Sequence, residues 1–113
     1  MVPSRTLLLL TAVYFLLATL GAADSIAADA AAGRKKARAC AACHGIDGVA
    51  KMPIAPHIAG ESQVYLETQL KAFRSGKREN EIMSVVAGDL SDEDISDLAA
   101  WYASIQFSVT PPE

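Results

Sequence analysis

Five consecutive residues, Cys40-Ala41-Ala42-Cys43-His44, constrain this chain more than any other stretch. They set two thiols about one helical turn apart, with an imidazole directly after the second. That C-x-x-C-H order reads as c-type haem attachment. The chemistry requires the spacing. Each sulfur adds to one vinyl group of the same porphyrin, and the histidine that comes next reaches the iron from the face the thioethers fix. Two other readings compete. A thioredoxin-like redox pair expects a βαβ pattern nearby, and the chain shows none. A zinc site usually takes four protein ligands, and beyond this stretch only His57 is left to help. A disulfide between the two cysteines would close too short a loop to stabilise a fold.

The chain has 113 residues, so one domain is expected, and its first part reads as a leader. Arg5 supplies a positive start, Leu7 to Leu20 an apolar run, and Ser25-Ile26-Ala27 small residues at the −3 and −1 positions of a cleavage site. That is the pattern of a secretory signal peptide. An uncleaved anchor is the alternative, because residues 6–23 are uncharged over 18 residues, the lower edge of what spans a bilayer. The alanine-rich cleavage region favours removal. The expected organisation is a signal peptide over 1–27 and one domain over 28–113, with no membrane span once the leader is gone. A mature chain this short buries little surface and often needs a staple or a bound group. A covalent haem would give the helices an apolar plate to pack on. Loss of the leader removes Arg5 and Asp24 together and leaves the net charge at −3, so nothing points to nucleic acid, which calls for a basic domain.

The remaining pattern is helical. Asp29 can cap a first helix from Ala30 to about Ala42, interrupted in composition by Gly33, which suggests a packing reason for that glycine. Gly45 and Gly48 end it, and a loop runs through Pro53 and Pro56 to Gly60. Ser62 caps a second helix ending near Ser75, with Gly76 past its end and Tyr65, Leu66, Leu70 and Phe73 on one stripe. Glu81 to Ala87 forms a short third helix closed by Gly88. Ser91 opens the last, with Asp94 three residues on in a capping-box arrangement. Its core stripe is Ile95, Leu98, Ala99, Tyr102 and Ile105.

The runs C-A-A-C-H-G-x-D-G, P-x-I-A-G, Y-L-x-x-Q-L-x-x-F-R-x-G-x-R, N-x-x-M and L-S-D-E-D-I-x-x-L-A-A-W-Y-A-S resemble small bacterial class I c-type cytochromes, both the mono-haem periplasmic forms and single halves of di-haem forms. The resemblance covers residues 29 to 106. It implies an all-α fold of about four helices wrapped around one covalent haem c, with His44 and a methionine as axial ligands. It implies electron transfer in the periplasm rather than catalysis, between redox partner proteins that the sequence does not name. Met52, Met83 and His57 are the candidates for the sixth ligand. Met52 lies eight residues after His44, on the same side of the haem in such folds. Met83 lies 39 residues after His44, far enough to cross to the opposite face, and matches the N-x-x-M position. Met83 is therefore favoured, in line with the Met/His ligation of such cytochromes.

The resemblance also implies that the Pro56 carbonyl takes the other ring N–H of His44, that Ile58 packs on the haem face, and that Gly33 lets the first helix approach Trp101 closely. Tyr65, Gln69 and Arg74 are candidates to touch the haem propionates, and Asn80 to hydrogen-bond near the Met83 sulfur. His57 reads as an exposed loop residue. The charges are uneven: Arg34, Lys35, Lys36 and Arg38 crowd the first helix, Lys71, Arg74, Lys77 and Arg78 the end of the second, and Asp89, Asp92, Glu93, Asp94 and Asp97 the start of the last. Solvated helix faces account for much of this, and steering toward a redox partner is the functional reading. The leading function is a one-electron shuttle. A haem subunit held permanently in a larger dehydrogenase or oxidase differs from it by assembly only. A peroxide- or gas-reactive haem protein would use polar distal donors, and no histidine–arginine pair of that kind is evident.

Overall fold

The computed structural model describes residues 27–113, so all but the last residue of the segment read as a signal peptide lies outside the described residues. Helix α1 (Ala30–Lys36) begins where Asp29 holds extended backbone and its Oδ1 accepts the amides of Ala31 and Ala32 at 2.8 and 3.2 Å. The single helix expected through Ala42 is broken. A 3-10 turn over Ala37–Ala39 separates α1 from α2 (Ala41–His44). Alanine and arginine both favour the α form, so the break is imposed by packing: Ala37 is fully buried against the core. Three residues at three per turn instead of 3.6 add a rotation of roughly 60°, which turns the Cys40–His44 stretch relative to the face of α1.

Helix α3 (Gln63–Ser75) is capped by the Ser62 hydroxyl and ends at Gly76, whose φ of 76° is the left-handed turn that glycine permits. Helix α4 (Met83–Gly88) precedes α5 (Asp92–Ser104), whose capping box pairs Ser91 with Asp94 in both directions. Among the described residues there is no strand. The all-α expectation holds, and its four helical arms are present with the first one broken. Ala37, Leu66, Leu98, Ala99 and Tyr102 form the buried core, with Cys40, Ile58 and Leu70 packed on it. Of the stripe expected on α3, Leu66 and Phe73 are buried, whereas Tyr65 is half exposed.

α1 crosses α5 at Gly33. A Cβ there would overlap the Asp97 carbonyl and meet the Trp101 Cβ at 2.9 Å. Gly33→Ala gains up to about 1 kcal/mol of helix propensity, but backbone cannot yield as a side chain does. A net loss on the order of 3 kcal/mol is expected, at the upper end of overpacking costs, read as a lower urea midpoint.

A polar tie crosses the same interface. Lys36 Nζ lies 2.7 Å from Asp97 and 2.9 Å from Asp94, and Asp97 Oδ1 accepts the Asp29 amide at 2.8 Å. Asp97 is only 2% exposed. Part of the charge that reads as solvated faces is thus paired internally. The Lys36 ammonium, then the Ser91 amide and hydroxyl, hold the Asp94 carboxyl down to about 2 from an ordinary 3.8. Lys36 and the Asp29 amide lower Asp97 as well. A depressed carboxylate contributes its full stability above its unfolded value and loses it as pH falls through the folded one. Stability is therefore expected to decline below about pH 4 toward pH 2. Lys36→Met should be less stable at neutral pH and show a smaller decline, measured by urea unfolding across that window.

Candidate functional site

α2, the loop over 45–60, α3, α4 and α5 wall a cavity of about 450 Å³. Cys40, Cys43, His44, Pro56, Ile58 and Met83 all line it. The motif residues arrive from α2 and Met83 from α4, elements separated by the whole of α3.

His44 is buried, and its Nδ1 lies 3.0 Å from the Pro56 carbonyl oxygen. A carbonyl only accepts, so Nδ1 carries the proton and Nε2 keeps its lone pair for a metal. The loop that brings Pro56 back to His44 turns at Gly45 and Gly48, with φ of 74° and 71°. It is closed by the Ile58 amide donating to the Gly48 carbonyl at 2.8 Å and by the Lys51 amide donating to that of Cys43 at 2.8 Å.

Met83 begins α4, two residues later than the helix start expected from sequence. Asn80 is the reason. Its side-chain oxygen accepts the amides of Ile82 and Met83 at 3.0 and 2.9 Å, and its own amide donates to the Ser84 hydroxyl at 3.1 Å. Asn80 thus commits its side-chain oxygen to the backbone that carries Met83. Gly88 closes the helix from inside its last turn.

The other candidates fall elsewhere. Met52 does not line the cavity, and its Sδ sits 3.5 Å from Cys43 Sγ. His57 lines the cavity but is exposed, and its Nδ1 accepts the Ala50 amide at 2.9 Å. Tyr65 and Gln69 line the cavity, but Arg74 does not. Arg74 donates to Asp92 at 2.6 Å and to the Leu90 carbonyl at 2.8 Å. Arg78 takes its place on the cavity wall, donating to Gln69 Oε1 at 2.6 Å and lying 4.5 Å from the centre of the Phe73 ring. The sequence carried that signal in Gly76: the left-handed turn sends the chain back, so that the Arg78 amide donates to the Ala72 carbonyl at 3.1 Å.

The chemistry of the donor set decides what the cavity can hold. Burial, and then the charge of Cys43, push the Cys40 thiol up, which suppresses the thiolate a dithiol redox pair needs. Among the described residues no three His, Cys, Asp or Glu side chains converge as a metal cluster. Two sulfurs a turn apart, an imidazole with a free lone pair, a thioether from a separate element and walls that include Ile58, Leu66, Leu70 and Leu98 fit a haem instead.

A model of the family described as Cytochrome c matches residues 30–106. The chain belongs to the cytochrome c family. Cytochrome c-554(548) of Halomonas halodenitrificans (strain ATCC 12084 / NCIMB 8669) is 49% identical over 81 residues, covering 69% of this chain and 98% of the relative. A protein named thiosulfate dehydrogenase electron acceptor, from Thiomonas intermedia (strain K12), is 40% identical over 97 residues, covering 83% of this chain and 44% of that protein. The crystal structure of reduced recombinant cytochrome c4 from Pseudomonas stutzeri is similar at a TM-score of 0.68 and 37% identity, covering 74% of this chain and 48% of that one. The chain thus spans nearly all of one relative and about half of the others. As a cytochrome c it binds haem c covalently and transfers electrons, and it is not an enzyme. Its partners are redox proteins. Among the described residues no helix is long and apolar enough to cross a membrane.

Proposed function

We propose that the protein is a periplasmic one-electron carrier whose haem is held by Cys40 and Cys43 and ligated by His44 Nε2 and Met83 Sδ. The observation that carries this is the convergence of α2 and the start of α4 on one cavity. When bound, haem c supplies a ferrous/ferric couple. The residues set its terms. Cys40 and Cys43 would tether the ring to α2, and Pro56 holds the imidazole of His44 in the tautomer that leaves Nε2 free to ligate. Asn80 holds the backbone at Met83. A thioether is a soft, neutral ligand, so His44 and Met83 together would favour reduced iron and would leave no open position for a substrate. Ile54 and Ile82 line the cavity while remaining 68% and 48% exposed, an apolar rim at which a partner can approach. Ile58 lines the cavity and would pack on a bound ring.

A redox titration of the purified protein tests the reading. One reversible one-electron wave at high potential, with no carbon monoxide binding to the ferrous form, is expected. Ready binding of carbon monoxide would point to gas or peroxide chemistry. The signal-peptide pattern in the sequence over 1–27 supports the periplasmic reading, and a mature mass beginning near Ala28 is expected. The Thiomonas relative favours one class of donor in particular, a thiosulfate dehydrogenase. Rapid reduction on mixing with such an enzyme and thiosulfate would support it, and a stable complex of fixed stoichiometry would favour a permanent subunit over a shuttle.

A further inference from the structure

We propose that Tyr102 is a positioning residue for His44, holding the chain just after His44 and again just beyond its hydrogen-bond acceptor Pro56. This rests on the reading of His44 as an axial ligand. Tyr102 is 3% exposed, and its hydroxyl donates to the Gly45 carbonyl at 3.0 Å. Gly45 is the residue directly after His44. The backbone carbonyl of the same tyrosine accepts the Gly60 amide at 2.9 Å. One residue of α5 therefore grips the loop just after His44 and again four residues after Pro56.

Both gripped positions are left-handed glycines, Gly45 at φ 74° and Gly60 at φ 68°. At such residues the chain direction is soft, so an external tie decides where the arms go. Trp101 adds a second donor on the first arm, its Nε1 lying 3.0 Å from the Ile46 carbonyl. Burial pushes the phenol of Tyr102 far above its ordinary value, so it stays protonated and keeps donating throughout the working range.

The consequence falls on the 3.0 Å contact between His44 Nδ1 and Pro56. The strength of that hydrogen bond sets how basic the imidazole is as a ligand. A looser loop weakens the bond, makes the imidazole a poorer donor to ferric iron and raises the reduction potential. Tyr102 also lines the cavity, so a change in potential alone would not separate positioning from packing, whereas faster exchange of the His44 Nδ1 proton would.

The test uses the haem-loaded protein and Tyr102→Phe, which keeps the ring and removes the hydroxyl. It has two readouts: exchange of the His44 Nδ1 proton with solvent by NMR of the reduced form, and the midpoint potential. Exchange roughly tenfold faster, as expected for loss of one tie on local opening, and a rise in potential are the expected results. Ile95→Val is the control, because Ile95 is fully buried in α5 and does not line the cavity. It should lower stability and move neither readout. Parental exchange and potential in Tyr102→Phe overturn the proposal, however unstable that variant is. If Tyr102→Phe retains no haem, Trp101→Phe carries the test with a smaller expected acceleration, and an unchanged rate overturns it. A parent protein with no ring-current-shifted imidazole signals would instead sink the assignment of His44 as ligand, a different failure.

Discussion

Alanine at both Cys40 and Cys43 is expected to abolish covalent haem and to take the helical fold with it. Each sulfur holds one vinyl position, so a single substitution leaves one thioether and a weakened link, whereas the double variant leaves none. The cavity sets the size of the effect. About 450 Å³ lies among the helices that make the core. Without a bound group the apolar walls of that cavity are left unburied, and a small domain has only about 5–15 kcal/mol in total. Haem staining after denaturing electrophoresis and circular dichroism of the same samples check both halves of the expectation. Full-strength covalent haem in the double variant would refute the attachment site.

If Met83 is the sixth ligand as proposed, Met83→Ala is expected to keep its haem and to lower its reduction potential. The thioethers and His44 are untouched, so staining remains. The ferric spectrum should change with the loss of the thioether ligand. Axial ligands command a range of ~0.8 V, and a fall on the order of 0.2 V is expected when a neutral sulfur gives way to water. The opened position should gain carbon monoxide. Met52→Ala should do none of this, because Met52 lies against Cys43 and outside the cavity wall. An unchanged spectrum in Met83→Ala would redirect the ligand assignment to His57 or Met52.

The parts of this molecule that were legible in its sequence are those decided over a few residues. The caps at Asp29, Ser62 and Ser91 and the left-handed end at Gly76 depend on one side chain and its nearest amides, and all four appear where expected. The C-x-x-C-H stretch is equally local. The contacts that were not legible join residues far apart. The break in the first helix has no local mark, because its residues favour the α form and packing against the core imposes the turn. Asp97 reads as one more acid on a helix face, yet it is buried under Lys36 and the Asp29 amide. Arg74 and Arg78 are interchangeable in the sequence, and only the turn at Gly76 brings Arg78 to the cavity. The hydrogen bond from Tyr102 to Gly45 joins residues 57 apart, beyond any spacing rule.

The pairing of α1 with α5 bears on the order of events in folding. Its ties join Asp29 to Asp97 and Lys36 to Asp97, across 68 and 61 residues. Individual turns of helix form within about a microsecond, but this junction waits for residues near the far end of the chain, and the loop it closes is long. A chain being delivered from its front end therefore shows the Cys40–His44 stretch before it has a lid. The interval between that exposure and closure by α5 is when both thiols are open to whatever machinery attaches the haem.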